Sequence, residues 1–106
     1  MTAKRQYRTH DEVVREMIVA DPAFAAAYLE ECAQDEDPRI FLMALKHVVD
    51  AHGGVTALAR KAGLSRPALH RALTGKSAPK LETVSRALRA AGFRLSIQLD
   101  PARQAG

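Results

Sequence analysis

The stretch Gly54–Ala78, GVTALARKAGLSRPALHRALTGKSA, decides the fold. Val55, Leu58, Ala59 and Ala62 recur at i, i+3, i+4 and i+7, the spacing of one buried helix face, with Arg60 and Lys61 turned outward. Ala59 is small enough to let a second helix approach closely. Gly63 follows, a residue that turns a chain sharply at a helix end because it accepts a left-handed backbone. Ser65 is a strong N-cap, and Leu64 with Leu69 occupies the two positions of a hydrophobic staple. Pro67 falls in the first turn, where its missing N–H is harmless. A second helix, Arg66 to Leu73, then buries Leu69, Ala72 and Leu73 and displays Arg66, Pro67, His70 and Arg71, until Gly75 ends it. Two short helices joined by a tight glycine turn form a helix-turn-helix, whose second helix can enter a DNA major groove.

The flanks read as more helix. Apolar spacing predicts a helix from Asp11 to Ala20 through Val13, Val14, Met17 and Ile18, after a polar start over residues 1–9 that should fray. Asp21-Pro22 and Asp37-Pro38 each pair an N-cap with a proline at the first helical position. They open helices from Pro22 to about Ala33, with Phe24, Ala25, Ala27, Tyr28, Leu29 and Cys32 apolar, and from Pro38 to about Ala51 through Phe41, Leu42, Ala44, Leu45, Val48 and Val49. Asp100-Pro101 is a third boundary of the same type. Met17 and Met43 stand in apolar stripes and read as core. Beyond the basic turn Lys76–Lys80, a helix from Leu81 to about Ala91 buries Leu81, Val84, Ala87 and Leu88, and Gly92 stops it. Phe93, Leu95, Ile97 and Leu99 then alternate with Arg94, Ser96 and Gln98, the period of a half-buried strand. No second strand is apparent, so this one is expected to pair with its copy in a dimer or with a partner protein.

At 106 residues the chain is long enough for one domain with a modest core. Its net charge of +4 hides a division. Residues 1–37 carry four basic and nine acidic groups, a net of −5, whereas residues 38–106 carry twelve basic and three acidic, a net of +9. A polyanion is the expected partner of the basic part. The acidic face of Glu30, Glu31, Asp35, Glu36 and Asp37 suits a basic protein. Aromatics make up 5% and Trp is absent, which argues against stacking platforms for single-stranded nucleic acid. The lone Cys32 forms no internal disulfide and no metal-type spacing, as in a reducing cytoplasm. The start has no apolar signal core, and no apolar run approaches the roughly 20 residues that span a membrane, so a cytoplasmic setting is expected. His47 and His52 are five apart, off the i, i+4 spacing of a helical metal pair, so no metal or cofactor is expected. No nucleophile motif, phosphate-binding glycine loop or paired catalytic carboxylates appear, so no enzyme is expected.

The run Leu58-Ala59-x-x-x-Gly63-Leu64-Ser65-Arg66, followed by Leu69, Arg71, Gly75-Lys76, Pro79 and Leu81-Glu82-Thr83, resembles the lambda repressor-like (Cro/cI, Xre) helix-turn-helix family over about 38–92. The wider layout, with an acidic helical start and the ending Leu88–Leu95, LRAAGFRL, is similar to addiction-module antidote (HigA-type antitoxin) proteins. The resemblance implies a five-helix DNA-binding fold, dimeric operator binding, autorepression and neutralisation of a small toxin by direct contact. Many members carry Gln at the first position of the first motif helix, where it helps fix a backbone phosphate. Here Val55 stands there, and Thr56 is the candidate to take over that contact.

The expected fold is therefore all-α: a lambda repressor-like helix-turn-helix bundle over 37–92, an acidic N-terminal helical extension over 1–36, and a single C-terminal β-strand with its tail over 93–106. DNA recognition divides into positioning and reading. Thr56, Ser65 and Lys76, with Lys80 as a weaker candidate, suit phosphates. Arg66 and His70 suit base edges, because Arg can grip guanine O6 and N7 together, and Pro67 and Ala68 suit a thymine methyl. Arg71 serves a phosphate or pairs with Glu82. The expected function is a sequence-specific repressor acting as a homodimer on an inverted-repeat operator of double-stranded DNA, with recognition helices about 34 Å apart, and as antitoxin to a small basic toxin. The alternatives are a stand-alone regulator without a toxin and a protein-interaction module that has lost DNA binding.

Overall fold

A computed structural model of the chain describes residues 9–104. The expected frayed start falls largely on residues 1–8, outside the described residues. Thr9 is described, and it is a cap. Its hydroxyl accepts from the Glu12 N–H at 3.1 Å and the Glu12 carboxylate accepts from the Thr9 N–H at 2.8 Å, a complete capping box.

The helices run α1 His10–Ala20, α2 Pro22–Ala33, α3 Pro38–Ala51, α4 Gly54–Ala62, α5 Arg66–Thr74, α6 Leu81–Ala90 and α7 Pro101–Gln104. Each Asp-Pro works by the same local chemistry. The carboxylates of Asp21, Asp37 and Asp100 accept from the N–H two residues on, at 3.0, 2.9 and 3.0 Å, while proline takes the position whose N–H has no helical partner. Over 38–92 there are four helices, α3 to α6, rather than the five the resemblance implies. No helix among the described residues is long and apolar enough to cross a membrane.

Helix α3 is the axle of the bundle. It packs against α1 and α2 on one side and α4 and α5 on the other, while α6 closes against α4 and α5. It therefore buries five side chains: Leu42, Ala44, Leu45, Val48 and Val49. All but Leu42 join Ile18 of α1, Leu29 of α2, Leu58 of α4, Leu69 of α5 and Leu88 of α6 in one core. At roughly 1.5–3 kcal/mol for each large aliphatic side chain withdrawn from water, this shared core dominates what holds the short helices together.

Four expectations need correction. The C-terminal β-strand is not formed: no strand exists among the described residues, and residues 93–100 form neither helix nor ladder. Phe93 is half-buried on the core and its N–H bonds to the Leu88 carbonyl at 2.8 Å, but Leu95 is 47% exposed and Ile97 99% exposed. A strand's backbone groups need a neighbouring strand, and the other described residues form helices and the turns between them. Met17 and Met43 are not core but roughly half exposed. At 100° per residue Met43 points opposite the buried face of α3, and Met17 falls beside the Val14–Ile18 stripe. Leu81 is also exposed, because it starts α6 a turn before the first buried residue, Val84. Ala27 of α2 is exposed as well, between the buried Ala25 and Leu29.

Candidate nucleic-acid interface

Helices α4 and α5 meet at the turn Gly63–Ser65. Gly63 has φ +71°, a left-handed backbone that an L side chain adopts only with strain. This lets the Leu64 N–H reach the Ala59 carbonyl at 2.9 Å and the Gly63 N–H the Arg60 carbonyl at 3.3 Å, closing the exposed carbonyl end of α4. Ser65 caps α5, its hydroxyl oxygen accepting from the Ala68 N–H at 3.1 Å. Leu64 packs on the core and Leu69 is fully buried within it, the placement a hydrophobic staple requires.

The outward side of α5 displays Arg66, Pro67, His70 and Arg71, all exposed. Thr56 and Arg66 come together: the Arg66 Nε donates to the Thr56 hydroxyl at 3.0 Å. That bond engages Nε and does not use Nη1 or Nη2. Thr56, the residue expected at a phosphate, thus accepts from Arg66 and keeps its own hydroxyl proton, a contact that sequence spacing cannot show because the residues lie on different helices. Arg71 does not pair with Glu82, whose carboxylate instead binds Arg86 Nη2 at 2.8 Å. Arg71 and Lys80 face one small groove, of about 230 Å³, beside the Ser77–Pro79 turn. Lys76 is exposed at the far end of α5.

Two supporting residues were not anticipated. Arg86 of α6 donates from Nη1 to the Gly63 carbonyl at 3.4 Å and so braces the turn. The Glu82–Arg86 spacing of four was legible as a helical pair, but its reach to the turn was not. Arg39, at the start of α3, lies under Gly75: a Cβ there would come 3.5 Å from Arg39 Cγ. The guanidinium grips Asp37 at 2.8 and 3.1 Å, and that hydrogen bonding holds the Asp37 carboxyl below its ordinary pKa.

With this geometry in view, a profile of the family described as "Probable addiction module antidote protein" matches residues 10–99. The chain belongs to that family. A Haemophilus influenzae protein described as uncharacterized is 32% identical over 71 residues, 67% of this chain and 72% of that relative. No solved structure matches the chain. The match takes in the acidic helices α1 and α2 as well as the basic ones.

At its acidic end this antidote-family chain carries a polar bridge that sequence reading missed. The Tyr28 hydroxyl and His47 Nδ1 are 2.6 Å apart, and His47 Nε2 lies 3.3 Å from Asp11. One largely buried imidazole therefore ties α1 and α2 to α3. Burial first, then the nearby Cys32 and Asp11, pushes the Tyr28 hydroxyl pKa up. The other half-buried imidazole hydrogen bond, His52 Nδ1 to the Val48 carbonyl at 2.8 Å, helps finish α3.

Proposed function

We propose that this chain is an antitoxin that also represses transcription, binding double-stranded DNA as a lambda repressor-like helix-turn-helix and neutralising a small basic toxin by direct contact. It acts by binding rather than by catalysis. A homodimer presents two copies of α5 to an inverted repeat. Arg66 and His70 read base edges, Pro67 touches a thymine methyl, and Arg71, Lys76 and the Ser65 hydroxyl hold phosphates. Thr56 orients Arg66.

The observation that carries the DNA-binding half is the Thr56–Arg66 hydrogen bond at the exposed start of a capped, stapled α5. An arginine held by its Nε keeps its two terminal nitrogens for the O6 and N7 of one guanine, which is the bidentate contact that discriminates best. The antitoxin half rests on membership of the antidote family.

The test is fluorescence-anisotropy binding to the DNA upstream of the gene against a scrambled duplex, at physiological salt and two higher salts. The expected result is preference for the upstream DNA with a steep salt dependence, as contacts to several phosphates require. Equal, weak binding to both duplexes refutes the repressor reading and favours a protein-interaction module.

A further inference from the structure

Where α2 passes the segment that follows α6, the surface opens into a groove of about 360 Å³. Ala26, Leu29 and Ala33 of α2 with Phe41, Leu88 and Phe93 give it an apolar floor, and Glu30, Gln34 and Arg94 are among the polar residues that also line it. Leu95 lines the far side with Ser96 and Gln98, and Ile97 and Leu99 of the same segment are exposed beside it in sequence. Isolated exposed apolar side chains are ordinary, but a concave site with an apolar floor marks a binding surface.

The acidic charge beside the groove lies on one wall. Glu30 is on the α2 wall, and Glu31, Asp35 and Glu36 follow at the end of the same helix. No Lys or Arg among the described residues forms an ion pair with any of these four. They gather at the C-terminal end of α2, where the helix dipole is already negative and no basic residue occupies the last turn. The local field is felt by Cys32: burial first, then Glu31 and Asp35, raises its thiol pKa. Arg94 lies on the opposite wall, so the groove has a direction, with acids toward α2 and a cation toward the C-terminal segment.

We propose that this groove is the docking site of the toxin, which inserts an apolar anchor between α2 and Leu95 and lays basic side chains over Glu30, Glu31, Asp35 and Glu36. The proposal rests on the antitoxin reading above. A two-fold pairing with a second copy across the same groove would set one acidic helix end against another, whereas a basic partner relieves that repulsion. Because no residue of α5 lines the groove, a toxin seated here leaves Arg66 and His70 free. The antitoxin then carries its toxin while bound to DNA.

The probe is the purified product of the reading frame neighbouring this gene, titrated by calorimetry into the wild-type chain and two variants, with solution mass measured for each. Glu30→Lys/Glu31→Lys reverses the charge and complements the helix dipole, so it does not threaten the fold. Leu95→Asp charges an already exposed side chain. Each is expected to weaken binding at least tenfold, and the double charge reversal also flattens its salt dependence, while upstream-DNA binding persists. Val19→Asp, on the exposed side of α1, is expected to bind as wild type. Wild-type binding left intact in both groove variants overturns the docking site but leaves the antitoxin standing. Loss of a dimer in the groove variants assigns the groove to a second copy and overturns the proposal. Absence of binding by the wild type removes the antitoxin reading and the docking site together.

Discussion

Two stretches of this chain carry equally regular apolar patterns, and only one becomes the element its pattern spells. Residues 54–74 alternate at helical spacing and fold as α4 and α5 with the predicted bounds to within a residue. Residues 93–99 alternate at strand spacing and form no strand. The difference lies in where each element finds its hydrogen bonds. A helix satisfies its backbone from within four residues and needs its neighbours only to cover an apolar stripe. A strand satisfies nothing alone, and its pattern states a preference that another strand must fulfil. Periodicity is therefore strong evidence for a helix and conditional evidence for a strand.

That contrast is open to attack by substitution. The largest effect should come from the buried side of α5. Leu69→Ala should lower unfolding free energy by about 2–5 kcal/mol in denaturant titration, because Leu69 is fully enclosed and its loss leaves a cavity. On the outward side of the same helix, Arg66→Ala should leave stability almost untouched and weaken upstream-DNA binding by about 1–3 kcal/mol, with specificity relaxed at one base pair. Thr56→Val should lose a smaller share of that affinity, since it frees Arg66 without removing it. Binding of Arg66→Ala at the wild-type level would show that α5 does not read DNA through its start.

The turn should rank next. Gly63→Ala imposes a Cβ on a left-handed backbone and should cost about 1–2 kcal/mol in melting or denaturant experiments. The penalty is conformational, for a Cβ there would meet Arg86 only at 3.8 Å. Ser65→Ala removes the cap of α5 and should cost about 1 kcal/mol. The smallest effect belongs to the C-terminal segment. Ile97→Ala should change the stability of the isolated chain by no more than about 0.5 kcal/mol. A loss of 2 kcal/mol or more there would mean that Ile97 is covered in solution, and the contrast between the two stretches would fail.

Much of the remaining architecture was legible for the same reason. The Asp-Pro pairs at 21 and 37 announced two helix starts through chemistry confined to three residues, and the pair at 100, read only as a boundary before a tail, opens the short α7 in the same way. The faces of α3, α4 and α5 followed from spacing alone. Where legibility ended, the missing information was relative position. Met43 and Leu81 look as apolar as their buried neighbours, but nothing packs over them. Tyr28, His47 and Asp11 lie on three helices, and no spacing in the chain hints that one imidazole joins them. Among the candidate site residues, the exposure of Arg66, His70 and Arg71 followed from helix geometry. The bond from Arg66 to Thr56 and the diversion of Glu82 to Arg86 did not.

By itself, then, the sequence determined the helices, the caps and glycine that bound the α4–α5 turn, and the division of charge between an acidic start and a basic remainder. Each is settled within a few residues, by hydrogen bonds and sterics that a side chain meets along its own helix or turn. Only the tertiary structure decided which apolar faces are covered, which polar side chains meet across helices, and that the last alternating stretch forms no strand. Those outcomes depend on contacts between residues far apart in the chain, and a packed bundle offers each side chain only the partners that its neighbours bring within reach.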